Sequence, residues 1–169
     1  MCLARASKAP LAKDQIRFVV CDAEDTSALL AALCEQLQVL ANSDPQALET
    51  TLLIHPNVLG DFAAFNDFLD EVDAAIEALG YDGVLQVASF HPQYQFAGTA
   101  PDDIGNATNR SPYPTLHLLR EESLDRAVAA FPDAEAIFEA NIRTLEGLGA
   151  VGWSAMQAQC RRDAQAPTD

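Results

Sequence analysis

The sequence predicts an α/β fold, a single domain with a mixed, mostly parallel four-stranded sheet flanked by helices. Two observations lead to this prediction. Short apolar runs rich in branched residues alternate with longer runs whose apolar side chains recur every three or four residues, which is typical of strand–helix–strand units with parallel strands. The alternation then stops at a long loop, and we expect the strand after that loop to be antiparallel. A ferredoxin-like α+β sandwich is the alternative architecture.

The individual elements follow in order along the chain. Apolar runs bounded by polar or turn residues predict four strands, at residues 15–21, 50–55, 83–91 and 115–119. Runs with helical periodicity predict four helices, at residues 27–41, 61–79, 121–130 and 133–148. Asp22 or Asp25 is suited to cap the first helix, and Gly80 is suited to end the second.

The length of 169 residues fits one domain. We expect an N-terminal arm over residues 1–14, a single α/β domain over residues 15–153, and a polar C-terminal tail over residues 154–169 that frays.

The chain has 25 acidic and 10 basic residues and a net charge of −15. Such a surface repels phosphate backbones and anionic headgroups, which argues against nucleic acids and membrane surfaces as partners. No apolar run approaches the roughly 20 residues that a membrane span needs, and residues 1–10 lack the apolar core of a secretory signal. The four cysteines are scattered without a Cys-x-x-Cys pair, which favours the reducing cytoplasm as the location.

The loop between the third and fourth strands, residues 92–114, is the segment most typical of a functional site. Its prolines and glycines leave it without a helical or strand period, while Tyr94, Phe96 and Tyr113 provide aromatic anchors. Loops of this length are uncommon in compact domains and are usually either functional or disordered. The anchors favour a rigid, packed loop, so we predict that residues 84–120 contain the site.

All three histidines fall within or at the ends of predicted strands. His55 and His91 each precede a proline, in the similar segments LLIHP and ASFHP, and we expect both at the carboxyl edge of the sheet, where open α/β sheets bind ligands. Together with His117 they could hold zinc or another divalent metal ion and leave one position open for water. A histidine in a strand is more often an ordinary hydrogen-bonding residue, and no two of these three share a helical spacing.

Within the loop, polar side chains surround Arg110, one of the few basic residues. A guanidinium in a loop can bind a carboxylate or a phosphate through two parallel hydrogen bonds. The other predicted ligand-binding residues are Asn106, Asn109, Ser111 and Tyr113. Asp102 and Asp103 could serve as a general base or as oxygen ligands. In the alternative interpretation the Asn and Asp residues cap turns, and Arg110 pairs with Asp102 or Asp103 to hold the loop together.

These segments resemble an uncharacterised bacterial family, domain of unknown function family 1415. The resemblance rests on six stretches, VLQVASFHP at residues 84–92, YQFAGT at 94–99, NATNRSPYP at 106–114, LHLLRE at 116–121, TLLIHP at 51–56 and FNDFL at 65–69. It extends over about residues 15–153 and implies membership rather than an activity.

The N-terminus departs from the pattern of that family. Members usually have a helix before the first strand that ends near a Leu-Cys-Pro-Phe motif, and Cys2 does not have the matching spacing. The resemblance therefore implies that this helix is absent or replaced, and that an apolar surface is exposed or used for self-association into a homo-oligomer.

Together, these residues predict a cytoplasmic enzyme that acts on a small anionic metabolite. Arg110 would bind the anion, and His91 would be the general acid or base because its pKa can lie near neutral pH. Asp102 or Asp103 would orient or ionise His91, and His55 and His117 would assist or bind the metal. The alternative is a non-catalytic module that binds a small ligand or a partner protein, with the loop as a rigid docking surface. A third interpretation makes the loop purely structural.

Overall fold

The computed structural model describes residues 13–130 and 134–165, so most of the predicted N-terminal arm, including Cys2, lies outside the described residues. The elements are, in chain order, β1 (Ile16–Val20), α1 (Thr26–Asn42), β2 (Thr50–Ile54), α2 (Phe62–Ala78), β3 (Leu85–Phe90), a 3-10 helix (Ile104–Asn109), β4 (Thr115–Arg120), α3 (Glu121–Ala130) and α4 (Ala134–Gln165). The strands and the first three α-helices begin and end within two residues of their predicted positions.

The four strands form one mixed sheet in the order β1-β2-β4-β3. β1 and β2 pair in parallel, whereas β4 is antiparallel to both β2 and β3. β1, β2 and β3 therefore point the same way, but only one of the strand pairs is parallel, so the prediction of a mostly parallel sheet is wrong. The physical reason is that the loop after β3 returns the chain into the space between β2 and β3. The parallel β1–β2 pair also excludes the ferredoxin-like alternative, in which all neighbouring strands are antiparallel.

One face of the sheet is covered by α1 and α2. The crossovers from β1 to β2 and from β2 to β3 advance in the same direction across the sheet, so right-handed connections place both helices on the same face. The fully buried side chains of this layer include Leu29, Leu33, Leu37, Leu40, Leu53, Phe65, Leu116 and Leu118. Burial of each such leucine stabilises the fold by about 2 kcal/mol.

Local hydrogen bonds set the ends of the two packed helices. The Asp25 carboxylate accepts a 2.8 Å hydrogen bond from the backbone N–H of Ala28, and the Asp61 carboxylate accepts one of 3.0 Å from Ala64. Each aspartate thereby satisfies a donor that the first helical turn leaves unpaired. After α2, Gly80 takes a φ of 73°, a left-handed conformation that glycine adopts without strain.

The second half of the loop is ordered by the 3-10 helix, which packs against α4. A Cβ at Gly105 would lie 3.1 Å from Asp103 Oδ1, so a glycine leaves room for the carboxylate that caps the 3-10 helix, and it would make an ordinary contact of 3.4 Å with Ile142 Cδ1 of α4. α4 has a sharp kink at Gly149, where φ is 64°, and continues to Gln165 over the stretch that we expected to fray. None of the helices in the described ranges is long and apolar enough to cross a membrane.

Candidate functional site

The carboxyl edge of the sheet brings His55 and His91 onto the same side. β2 and β3 end at the same edge, and both histidines follow their last strand residue directly. The backbone N–H of His55 donates to the Pro114 carbonyl at 3.0 Å, and that of His91 donates to the Asn109 carbonyl at 3.2 Å. The loop thus closes over the edge by bonding to both strand ends.

Both ring nitrogens of His91 are occupied by backbone groups. The N–H of Gln93 donates to Nδ1 at 3.0 Å, which leaves the proton on Nε2, and Nε2 donates to the Leu59 carbonyl at 3.2 Å. The side chain is fully buried. Burial lowers the pKa of His91, although the Leu59 carbonyl and the Asp61 carboxylate favour the protonated ring.

His55 is also fully buried and bonds to the same loop as His91. Its Nδ1 donates to the Val58 carbonyl at 3.1 Å, and among the described residues Nε2 has no hydrogen-bond partner. Burial lowers the pKa of His55, against the effect of the Val58 carbonyl. The two imidazoles therefore fasten residues 56–60 to the sheet from two strand ends as neutral rings.

Aromatic rings of α2 fill the space between the two histidines. The Phe65 ring lies 5.8 Å from the His55 ring and 5.1 Å from the His91 ring, measured between centroids. Phe62 lies 5.4 Å from His91 and 5.3 Å from Tyr94 of the loop. These contacts and the carbonyl bonds account for both imidazoles as parts of a packed cluster.

His117 lies on the opposite face of the sheet from the other two histidines. In β4 it alternates with the core residues Leu116 and Leu118, so its ring points away from α1 and α2. Its Nε2 donates to Thr50 Oγ1 at 2.7 Å, and the Thr50 hydroxyl donates onward to the Leu118 carbonyl. Burial lowers the pKa of His117 to about 4, so the ring is neutral at pH 7.

The three predicted metal ligands are therefore divided between two faces. Within residues 13–130 and 134–165, no group of three or more His, Cys, Asp or Glu side chains could hold a metal ion. A three-histidine site needs nitrogens within about 2.1 Å of one zinc ion, and the sheet separates these side chains. The structure thus does not support metal binding by His55, His91 and His117.

Arg110 bonds to two backbone carbonyls of its own loop. Nε donates to the Tyr94 carbonyl at 3.1 Å, and Nη2 donates to the Pro101 carbonyl at 2.6 Å. No ion pair joins Arg110 to Asp102 or Asp103, so the predicted pairing of these residues is wrong. The carbonyls take the place of those carboxylates in holding the loop.

Asn106 holds the first half of the loop from a fully buried position. Its Oδ1 accepts from the Phe96 N–H at 3.0 Å and from the Thr99 hydroxyl at 2.9 Å, and its Nδ2 donates to the Ala100 carbonyl at 2.8 Å. An amide whose oxygen and nitrogen both bond to its own loop fixes the path of that loop.

The remaining predicted site residues have simpler surroundings. Asp103 caps the 3-10 helix through the Gly105 N–H, and Asn109 donates to the Ser89 carbonyl at 3.2 Å. The Ser111 hydroxyl donates to the Tyr113 carbonyl, and the Tyr113 ring is 55% exposed. Asp102 is an exposed turn residue.

A cleft of about 260 Å³ opens beside Arg110 on the sheet face that α1 and α2 leave uncovered. The cleft is lined by Leu52, Ile54, Phe90, Thr108, Arg110, Ser111, Pro112 and Thr115. Ile54, Thr115 and Phe90 lie side by side across β2, β4 and β3. The structure thus brings Arg110 and Ser111 together at one cleft, with His91 on the opposite face.

Sequence reasoning missed the strand residues that form the floor of this cleft. Ile54 and Phe90 each precede one of the His-Pro pairs, and successive strand residues point to opposite faces. The histidines belong to the face under α2, so their neighbours necessarily belong to the other face. The alternation of side chains along each strand could have indicated that Ile54 and Phe90 share a face. To identify that face as the open one, however, one must know which face the helices cover.

A larger open groove of about 790 Å³ lies between α2 and the outer side of β3. Its lining includes the acidic residues Asp70, Asp73, Glu77, Asp82 and Glu121. Carboxylates at this density repel anions, so this groove is unsuited to the anionic ligand for which Arg110 is placed.

Comparison with known proteins finds one family. The family model described as protein of unknown function (DUF1415) matches residues 3–155. No curated protein and no solved structure matches the chain.

Proposed function

The chain belongs to the DUF1415 family of proteins of unknown function, and on that premise we propose that it binds a small amphipathic anion in the cleft beside Arg110. The observation that carries this proposal is that Arg110, a cation not ion-paired to any described residue, is one of the residues that line a mainly apolar cleft.

The floor of the cleft selects for an apolar body. Leu52, Ile54 and Phe90 supply aliphatic and aromatic surface, and Thr115 separates Ile54 from Phe90. Drug-sized ligands usually occupy about 300–1,000 Å³, so a cleft of about 260 Å³ suits a smaller molecule. A short branched or aromatic carboxylate or phosphate ester has this shape.

The wall of the cleft supplies the donors for the anionic group. A guanidinium has five N–H donors, and the bonds to the Tyr94 and Pro101 carbonyls use two of those on Arg110. These bonds also fix the guanidinium in place, so little side-chain entropy is lost when an anion binds. In a protein of net charge −15, a fixed cation of this kind is the main local source of attraction for an anion.

The contacts of His91 favour binding over catalysis. A general acid or base must reach the proton that it transfers, within about 2.6–3.2 Å or through one water. His91 has both ring nitrogens bonded to backbone groups and lies on the opposite face from the cleft. We therefore propose the non-catalytic, small-ligand alternative rather than an enzyme.

The test uses benzoate and phenyl phosphate as probes and benzyl alcohol as the neutral control. We expect the anions, but not the alcohol, to raise the melting temperature and to give measurable heats of binding by calorimetry. Arg110→Gln should weaken binding of the anions by about 10- to 100-fold, because it removes charge-assisted hydrogen bonds.

The matched control is Arg126→Gln, which changes the net charge equally at an exposed arginine outside the cleft. This variant should bind the anions like the original chain. Equal weakening in both variants would assign the effect to overall charge, and an unchanged affinity in Arg110→Gln would place the anion elsewhere. Either result overturns the proposal.

A further inference from the structure

β1 is an edge strand whose outer side lacks a strand partner within the described ranges. The N–H of Cys21 donates to the Ile54 carbonyl at 2.7 Å, and the Gln15 carbonyl accepts from Glu49 at 2.9 Å. The backbone N–H and C=O groups of the odd-numbered residues therefore face β2. The backbone groups of Ile16, Phe18 and Val20 point away from β2, toward the outer side of the sheet. No described residue bonds to these outward groups.

The side chains of the same residues are apolar and exposed. Phe18 is 61% exposed and Val20 is 63% exposed, and they stand beside Leu52 and Ile54 of β2 on the sheet face away from α1 and α2. Natural edge strands are usually protected from pairing by charged side chains, proline or a bulge; β1 has one charged residue, Arg17, and neither a proline nor a bulge. The edge thus combines unpaired backbone groups with apolar side chains in one five-residue strand.

The charged residues at the two ends of β1 differ in net sign. Two cations, Lys13 and Arg17, and one carboxylate, Asp14, lie at its start, whereas the carboxylates Asp22, Glu24 and Asp25 follow its end. When two identical strands pair antiparallel, the start of one lies beside the end of the other. Lys13 of each copy would then lie beside the carboxylates that follow β1 in the other copy, although Asp14 would face Asp22 and two acidic chains repel overall.

From these features we infer that two copies of this chain pair through β1, antiparallel about a two-fold axis perpendicular to the sheet. This symmetry matches the outward groups of residues 16, 18 and 20 with those of the other copy, and joins the two four-stranded sheets into one of eight strands. The Phe18 side chains of the two copies then share one face of the joined sheet.

The inference does not depend on the proposed ligand, because the cleft and the β1 edge can be altered separately. Both clefts open on the face that carries Phe18 and Val20, so the dimer presents two anion sites on the same side. Two five-residue edges make a small interface, and we expect a dissociation constant in the micromolar range.

The test measures the mass of the full chain by sedimentation equilibrium from about 1 to 100 µM. We expect a monomer–dimer equilibrium in the original chain. Val20→Lys should be monomeric throughout this range, and Val128→Lys, which replaces a valine of similar exposure on α3, should dimerise like the original chain. Circular dichroism confirms that both variants fold.

Substitutions that change the charges next to β1 then distinguish pairing between two copies from pairing of β1 with another segment. Asp22→Lys should strengthen dimerisation by about tenfold, because in this register residue 22 faces Asp14 of the other copy, and adding Asp14→Asn in the same chain should remove most of the gain. A chain that is monomeric at every concentration, or a dimer unaffected by Val20→Lys, overturns the inference. A monomer that dimerises only after removal of residues 1–12 would assign the edge to the protein's own N-terminus and also overturn it.

Discussion

At both the amino and the carboxyl edge of the sheet, an arginine donates hydrogen bonds to backbone carbonyls, but the two arginines differ in their surroundings. At the amino edge, Arg120 donates to the carbonyls of Leu40, Ser43 and Leu48, at distances from 2.6 to 3.4 Å. At the carboxyl edge, Arg110 donates to the carbonyls of Tyr94 and Pro101. Arg120 joins loop backbone to the sheet and Arg110 joins two parts of its own loop, yet both do so through backbone carbonyls, so hydrogen bonds alone do not distinguish a structural arginine from a ligand-binding one.

The surroundings of the two side chains make the distinction. Arg120 is 8% exposed and enclosed by the end of α1 and the segment before β2. Arg110 is half-buried and is one of the residues that line the cleft. A cavity beside the arginine, rather than the hydrogen bonds that hold its side chain, is therefore the feature that indicates ligand binding.

The largest effect that we expect from this comparison is on stability. Arg120→Ala should lower the free energy of unfolding by about 3 kcal/mol, because it leaves several enclosed carbonyls without a donor. Arg110→Ala should lower it by only about 1 kcal/mol, since water can reach the exposed side of its loop. Urea unfolding measures both, and Arg126→Ala is the exposed control with an expected change under about 0.5 kcal/mol. Equal losses at positions 110 and 120 would contradict the distinction.

The second expectation concerns pH and extends the comparison to His117, which bonds to Thr50 at the start of β2. A histidine in the unfolded chain titrates near pH 6.5, and the pKa of His117 in the fold is about 4. Between these values the unfolded chain binds a proton that the folded chain does not. The stabilising effect of the neutral ring is therefore complete above pH 6.5 and declines by about 3 kcal/mol as the pH falls to 4.

Urea unfolding at pH 7 and at pH 4.5 measures this decline. His117→Gln keeps an N–H that can donate to Thr50 but does not titrate, so its stability should fall less over the same interval. His55 and His91, whose pKa values burial also lowers, remain in both chains and provide a common background. An identical decline in the two chains would show that His117 does not contribute.

The smallest effect that we expect is the difference in stability between alanine substitutions of two asparagines at the carboxyl edge. Asn106→Ala should lower the free energy of unfolding by about 2 kcal/mol, because three partly buried hydrogen bonds with loop groups are lost. Asn109→Ala should cost about 1 kcal/mol, since its side chain contributes a single bond to the Ser89 carbonyl. Thermal unfolding ranks the two variants, and the reverse order would indicate that the loop is held from Ser89 rather than from Asn106.

Much of this fold could be predicted because its elements have strong local signals. The leucine spacing of α1 and the aspartate caps of α1 and α2 depend on residues within one or two turns. The strand order could not be predicted, because the placement of β4 depends on how a long irregular loop returns to the sheet. Periodicity carries no information about that path.

The surroundings of the predicted site residues could be foreseen only in part, for a related reason. Arg110 was identified because a cation is rare in this chain, and the structure places it at the cleft. The partners of Asn106 and His91 are backbone groups, which every residue provides, so no side-chain pattern in the sequence points to them. The sequence also could not show which sheet face α1 and α2 would leave open.

The position of β4 has a consequence for how the chain folds. β4 is the last strand in the sequence, yet it forms the pairs that join β2 and β3, with Thr50 beside Leu119. During synthesis, β3 has no neighbour in the sheet until residue 120 has left the ribosome. Pairs so distant in sequence close slowly, because the entropy of a long loop is lost before any contact is gained. We expect the complete sheet to form late in folding and the β1–α1–β2 unit to remain only partly packed until β4 is added.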